Sequence, residues 1–576
     1  MKQSHPLLGI LLTFTMSPLA VLADWPQYRG TAAGGVASEA GLPIKWNVES
    51  GENVRWHTPI PGLAHSSPVV TGDRIYVATA IASKEAELKV GLYGDIGSAN
   101  DDEAQEWRLL ALDKKTGAIL WNQLALKAVP KVRRHTKASH CNSTPATDGR
   151  HIVAIFGSEG LFCFDTEGKL LWRKDLGPMD SGYFASPSAQ WGFGSSPMIH
   201  DGKVIVQCDV QKGSFIAAFN IVDGRELWRT SRTDVPTWGT PTLVQTKERT
   251  QVVANGWHET AGYDFATGSK LWTLDGGGDI PVPTPIFAHG LIYLTSAHGS
   301  WRPIRAIRPE ATGDITPEDP GKTNSHIAWA HGRKGNYMQT PIVVGDLLFA
   351  CNDLGVLSCF DAKSGTIHFS ERLSQRGQGF TASPVSDGRS LYFTSELGNV
   401  FVVAVEPKLR LIGIHQLPET CMATPAISDG MLIYRTRHAL IALREGSRSE
   451  GIKLSSQTSA AKEPPPRVLK KADPALVGEW HGTLEVGSKK LRVLFSIHEQ
   501  GGNMKGILTS LDQGNAKIDL SRVGQLDGKV RLEIEDMAAH FEGLWNETKD
   551  ELKGEWHQSE SKLPLVLKKS LSRSHE

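Results

Sequence analysis

The side chains best suited to chemistry gather in two stretches. "HTKASHCNSTP" (135–145) holds His135, His140 and Asn142, and a third histidine, His65, opens the related phrase "HSSP". Three histidines could bind a metal, but the spacing of His135 and His140 fits no standard ligand pair, so we read them as hydrogen-bonding side chains. Asn142 alone is a poor calcium ligand, because that ion takes six to eight oxygens. The second stretch, "GYFASPSAQWG" (182–192), carries Tyr183, Phe184 and Trp191. Together with Trp238, Tyr337 and Met338 it offers an aromatic-rich, partly polar binding surface. The candidate binding residues are therefore His65, His140, Asn142, Tyr183, Trp191, Trp238, Tyr337 and Met338.

Other chemistries find no support. The six cysteines, Cys141, Cys163, Cys208, Cys351, Cys359 and Cys421, form no adjacent pair, no CxxC and no CxxCH. A zinc site or haem attachment is not expected, and buried small apolar side chains are. There is no GxSxG elbow, Walker loop, HExxH or EF-hand loop. Lys and Arg number 62 and so do Asp and Glu, which argues against nucleic-acid binding. The start of the chain reads as a signal peptide, residues 1–23: Lys2, the apolar run "LLGILLTF", then small residues ending at Ala23. That run is short for a membrane span. No cysteine follows the cleavage point, so no lipid anchor is expected there. The mature chain is expected to be periplasmic or secreted, and monomeric.

What would position these residues is a repeat. "LDKKTGAILW" (112–121) returns as "FDTEGKLLW" (164–172), "FNIVDGRELW" (219–228) and "YDFATGSKLW" (263–272). A second phrase, Ser or Thr then Pro, marks the period at Pro68, Pro145, Pro197, Pro241, Pro285, Pro341, Pro384 and Pro425. The steps are 77, 52, 44, 44, 56, 43 and 41 residues. A period near 44 predicts a propeller with one four-stranded sheet per repeat. Within each repeat the proline opens the innermost strand, where its missing N–H costs nothing. Asp113 and Gly117 build the outer hairpin turn. Trp121, Trp172, Trp228, Trp272 and Trp329 hold one position on the outermost strand, with Phe369 and Ile412 as substitutes. The eighth repeat ends near Leu443 without an outer strand, while Trp56 in "NVRWHTPI" has no repeat of its own. The simplest closure gives that N-terminal strand to the last blade, removing the open edge. Eight large apolar residues would then wedge the blades together. Two residues before the prolines stand Ser66, Ser143, Ser195, Gly239, Pro283, Gln339, Ala382 and Ala423, which we expect to ring the crowded axis. The insertions 81–106, 177–193 and 309–326 are expected to face the channel, and the acids of 98–106 to form a solvated loop.

These repeats resemble the tryptophan-docking motifs of the pyrroloquinoline quinone (PQQ) propeller family, over residues 53 to 443. The resemblance implies an all-β, eight-bladed propeller spanning 24–443. Enzymes of that family oxidise alcohols or sugars with PQQ and calcium. In the alcohol-oxidising branch the resemblance implies an adjacent Cys-Cys pair, Glu and Asn calcium ligands and an Asp base. This chain has no Cys-Cys. It is more similar to the non-enzymatic branch, the outer-membrane assembly propeller of Gram-negative bacteria, although it lacks that lipoprotein's lipidation cysteine.

Residues 444–474 turn polar and Ser/Pro-rich, with Pro464, Pro465 and Pro466, and read as a linker. Residues 475–569 return to short alternating strands. They predict a small antiparallel barrel or sandwich, resembling a lipocalin-like domain through "GEWHGTL" and "LKGEWHQ"; 570–576 is a tail. The expected function is a non-catalytic binding or scaffolding role in the cell envelope, toward an envelope protein or polysaccharide and with no cofactor. The alternatives are a PQQ- and calcium-dependent alcohol or sugar dehydrogenase, and a carbohydrate-binding protein.

Overall fold

The computed structural model describes residues 25–570 except 38–40, 92–96, 187, 375–377, 461–468, 487–488, 514, 535–538 and 559–560. The expected signal peptide, the three consecutive prolines and nearly all of the tail lie outside the described residues.

The repeat phrase explains how one blade grips the next. In "LDKKTGAILW" the Asp113 carboxylate accepts from the N–H of Thr116 at 2.7 Å and from its hydroxyl. Gly117, at φ +75°, then closes the turn in the left-handed region that favours glycine. A Cβ on Gly117 would lie 2.6 Å from the Trp56 ring. The turn of one blade therefore lies flat on the indole of the blade before it. Gly168 stands on Trp121, Gly224 on Trp172, Gly268 on Trp228 and Gly365 on Trp329 in the same way. Each indole N–H donates to a carbonyl of the turn it supports: Trp56 to Lys114, Trp121 to Thr166, Trp172 to Ile221, Trp228 to Phe265 and Trp329 to Ala362. The residue two places after the tryptophan often adds a second link. Thr58 donates to the Gly117 carbonyl, Thr230 to Gly268 and His331 to Gly365. One phrase thus both receives and offers a dock.

Eight sheets follow, each built as a meander from the inside outward. Blade 1 comprises Val69–Thr71, Arg74–Ala82, Gln105–Asp113 and Ile119–Ala128. In blade 8, Ala426–Ser428, Met431–Arg435 and Ala439–Arg448 are completed by Glu52–Pro59, which pairs antiparallel with Ala439–Arg448 and places Trp56 opposite Ala442. The expected closure is what the chain does.

Three seams depart from the pattern, one of them at blade 6, where the buried Phe369 has no N–H to donate. Trp272 donates inward to Gln251 Oε1 at 2.9 Å. Its outer edge is covered by Gly313–Asp314, a fifth strand running parallel to it. The insertion 309–326 therefore caps the outside of blade 4 instead of facing the channel: its backbone pairs beside Trp272, and Ala311 and Ile315 share that residue's core. At blade 7 the substitute is Ile412, which has no donor. There Trp46 of the N-terminal segment buries its ring in the seam and donates to the Gln416 carbonyl at 3.1 Å.

The expected linker begins later than its composition suggests. The blade-8 strand runs on to Arg448, Ile452 donates to the Val48 carbonyl, and Ile452 and Leu454 pack on the blade-8 core. Sparse but correctly spaced apolar residues hold this polar stretch to the propeller. At its far end Lys470 bridges Gln525, so it already belongs to the second domain. That domain is a single curled antiparallel sheet of nine strands between Gly478 and Lys569. It has a filled core of its own around Trp480, Phe495, Phe541 and Trp556. Both tryptophans are core residues. No helix among the described residues is long and apolar enough to cross a membrane.

Candidate functional site

The Ser or Thr before each proline builds the axis. The N–H of Ser67 donates to Thr144 Oγ1, Thr144 to Ser196, Ser196 to Thr240, Thr240 to Thr284, Thr284 to Thr340, Thr340 to Ser383 and Ser383 to Thr424, all between 2.9 and 3.2 Å. Blade is tied to blade by a circle of hydroxyls. The residues one place earlier, expected to ring the axis, do not line its cavity: Ser66, Ser143, Ser195 and Gln339 are buried behind it. The proline explains the shift. It fixes the strand start so that its immediate neighbour, and not the residue before, turns to the centre.

The far end of the axis is closed by the N-terminal segment. Trp25 pairs with Val70 and Val36 with Ser386. Pro26 accepts from the Thr147 N–H. Between them the Tyr28 hydroxyl meets Ser383 Oγ at 3.0 Å, and the buried Arg29 donates to the carbonyls of Pro341 and Pro384. Burial lowers the Arg29 guanidinium only to about 10, so it stays charged at neutral pH. The axis is consequently a funnel: a cavity of about 600 Å³ with Tyr28 at its base.

Seven of the eight candidate binding residues line this funnel: His65, Asn142, Tyr183, Trp191, Trp238, Tyr337 and Met338. Around the mouth, Tyr183 and Trp191 are stacked with centroids 5.6 Å apart and planes 16° apart, and Trp238 lies 5.8 Å from Trp191. Edge-on to Tyr183 at 6.1 Å, His298 stacks on Tyr337 at 6.0 Å and pairs with Asp279 at 2.6 Å. Trp238 is placed by a buried network. Its indole N–H donates to the Gly192 carbonyl. One residue earlier, Thr237 donates to Asp209, which also takes Arg232 Nε at 2.6 Å. Burial alone would discharge Arg232, but the carboxylates of Asp209 and Asp234 hold it firmly protonated.

His65 and Lys137 form the wall. Burial pushes the His65 imidazole down to about 4, and its neutral ring donates from Nε2 to the Lys137 carbonyl at 2.8 Å. The Lys137 ammonium lies 2.9 Å from Glu396, which is itself fully buried and also takes the hydroxyl of Thr381 and the N–H of Gly91. Asn142 accepts from Ser139 and donates to the Phe193 carbonyl, so its amide braces two loops.

His140 does not line the funnel. It turns to Asp101, 3.5 Å away, which is also ion-paired with the buried Arg134. Asp101 is thus no solvated acid, although Glu103 and Glu106 of the same loop pair at the surface with Lys84 and Lys127. Burial would raise the Asp101 carboxyl, but the hydrogen bonds of His140 and Arg134 outweigh it and hold the pKa at about 2. A carboxyl depressed in the folded state adds stability above its unfolded pKa, which disappears as pH falls through the folded value. Asp101→Asn should therefore melt below the wild type at pH 7. The gap should close between pH 4 and about 2 in a thermal-melt series. A gap independent of pH would remove the ion-pair account.

Sequence reasoning missed Tyr28, Lys137, His298 and the Ser/Thr circle as lining residues. The circle had a signal, an unbroken Ser or Thr before every proline. The pairing of Lys137 with Glu396, 259 residues apart, had none.

The lining does not suit PQQ with calcium. PQQ carries three carboxylates, while the only full cation among the described lining residues is Lys137, already engaged by Glu396. None of those lining residues is Asp or Glu, and among the described residues no group of three His, Cys, Asp or Glu side chains is placed to hold a metal ion. All six cysteines are buried and free.

Eight docked blades around a hydroxyl-lined axis define a PQQ-like propeller. Residues 34–182, 105–275 and 163–408 match the family model described as outer membrane protein assembly factor BamB, and the chain belongs to that family. Among solved structures, BamB from Moraxella catarrhalis is 14% identical, with a TM-score of 0.42 over 63% of this chain and 98% of that one. A europium-containing methanol dehydrogenase is 12% identical, with a TM-score of 0.50 over 74% and 90%. Quinohemoprotein alcohol dehydrogenase from Comamonas testosteroni is 12% identical, with a TM-score of 0.47 over 79% and 84%. Identities this low speak to the fold alone. No curated protein matches the chain closely enough to count as a relative.

Proposed function

We propose that this chain is a periplasmic or secreted, non-catalytic propeller with a binding role in the cell envelope, and that the funnel mouth is its binding surface. One observation carries the reading. The funnel has an aromatic mouth over Tyr28, and two of its wall groups are already engaged: His65 by the Lys137 carbonyl, and Lys137 by Glu396. Such a site is shaped to hold a ligand. Membership in a family described by an outer membrane assembly factor favours the envelope as the place. The partner is an envelope protein or polysaccharide. Quinoprotein catalysis is the second reading, and the lining chemistry disfavours it.

The test is capture from an envelope extract on immobilised wild-type protein and on Trp238→Ala. A partner retained by the wild type and reduced at least about tenfold by the variant is the expected result, as for loss of an aromatic anchor. Equal capture by both would place binding elsewhere. Calcium-dependent reduction of an electron acceptor on adding PQQ and an alcohol would replace the proposal with the second reading.

A further inference from the structure

We infer that the funnel takes a neutral saccharide, its ring faces on the mouth aromatics and its hydroxyls on the Ser/Thr circle below. The inference rests on the binding role proposed above and names the chemistry of the ligand.

Three independent features lead there. The first is charge. Lys137 is neutralised by Glu396 at 2.9 Å, His65 is kept uncharged by burial, and no Asp, Glu or Arg joins the described lining. A ligand bearing carboxylates or phosphates would leave water without finding a cation that is not already paired. The second is the mouth. Tyr183, Trp191 and Trp238 are each half-buried, so part of each side chain remains open; Tyr183 stacks on Trp191 at 5.6 Å, and Trp238 lies tilted 5.8 Å from Trp191. The open surface of such a cluster matches the C–H face of a sugar ring, which is apolar while its edge is polar. The third is the floor. Thr144, Ser196, Thr240, Thr284 and Thr424 line the cavity, and each hydroxyl oxygen there accepts a backbone N–H from the neighbouring blade. That leaves each hydroxyl's own proton to donate. A circle of neutral donors suits a polyol and would be wasted on a purely aromatic ligand, which could stack but not answer these groups. A volume near 600 Å³ holds roughly two or three hexose rings, within the range of small-molecule sites.

The experiment is calorimetric titration of the full mature chain with maltotriose, cellotriose and chitotriose as neutral probes. Trigalacturonate and PQQ serve as anionic ones. At least one neutral trisaccharide should bind saturably, at least about tenfold tighter than trigalacturonate. Trp191→Ala and Tyr337→Ala should each weaken it about tenfold or more, and Trp191→Phe, which keeps a ring face, by no more than about threefold. Wild-type melting temperatures would show that the variants fold. Tighter binding of trigalacturonate or PQQ than of every neutral probe would overturn the inference, as would neutral binding untouched by both alanine variants. If no saccharide binds while Trp238-dependent capture from envelope extract persists, the binding role stands and the saccharide assignment falls. If both fail, both fall.

Discussion

Deleting residues 25–60 should leave a chain with no cooperative melt that associates in solution. Deleting 469–576 should shift the melting temperature of the propeller by no more than about 2 °C. The first cut removes three things at once. It takes the outermost strand of blade 8, exposing the edge of Ala439–Arg448. It takes Trp56, on which the Gly117 turn of blade 1 rests. It also takes the closing segment that ties blades 1, 2, 6 and 7 through Val70, Thr147, Pro341 and Ser386. The second cut removes a sheet whose core draws only on its own residues, from Ala472 to Leu567. Circular dichroism melts and gel filtration of the two truncations decide the matter. A monomeric, cooperative N-terminal deletion would mean that the ring does not depend on its closing strand.

Trp228→Ala should cost about 3–5 kcal/mol, the usual range for truncating a buried tryptophan. Its ring is 9% exposed, caught between blade 3 and the turn of blade 4, and its N–H holds the Phe265 carbonyl at 3.2 Å. Gly268→Ala should also destabilise, by about 1–3 kcal/mol, for two reasons. Gly268 sits at φ +75°, and an added Cβ would lie 2.5 Å from the Trp228 ring. The double variant separates these reasons. Removing the ring relieves the clash but not the backbone strain, so the two losses should sum to more than the double loss. Denaturant melts of the four proteins measure this. Strict additivity would show that the turn does not rest on the ring.

Much of this was legible from the chain because the repeat prints the same physics eight times. The Asp-turn-Gly-apolar-Trp phrase gives the outer hairpin, and the proline gives the strand start. The orphan Trp56 gives the closure. Trp46 was not legible as a docking piece, since it lies outside the repeats and acts at the seam of blade 7. The site was readable to the extent that it follows the repeat register. Trp191, Trp238 and Tyr337 stand just before blade strands and line the funnel. His140 stands in similar register, yet pairs with Asp101 of an insertion that no repeat anticipates. Polar 444–460 failed as linker because two apolar side chains, Ile452 and Leu454, and a few backbone hydrogen bonds suffice to hold a segment that composition calls loose.

The pairing that closes the ring joins Asn53 to Gly446, 393 residues apart. Each blade before that can form from neighbours a few dozen residues away, so the inner blades need not wait for one another as the chain is made. The first strand must. Contacts between such distant segments carry the largest loop-closure entropy in the molecule. Until they form, the Glu52–Pro59 segment has no partner strand and Ala439–Arg448 has an open edge. For that interval the chain's own first strand is open to pairing with the wrong neighbour.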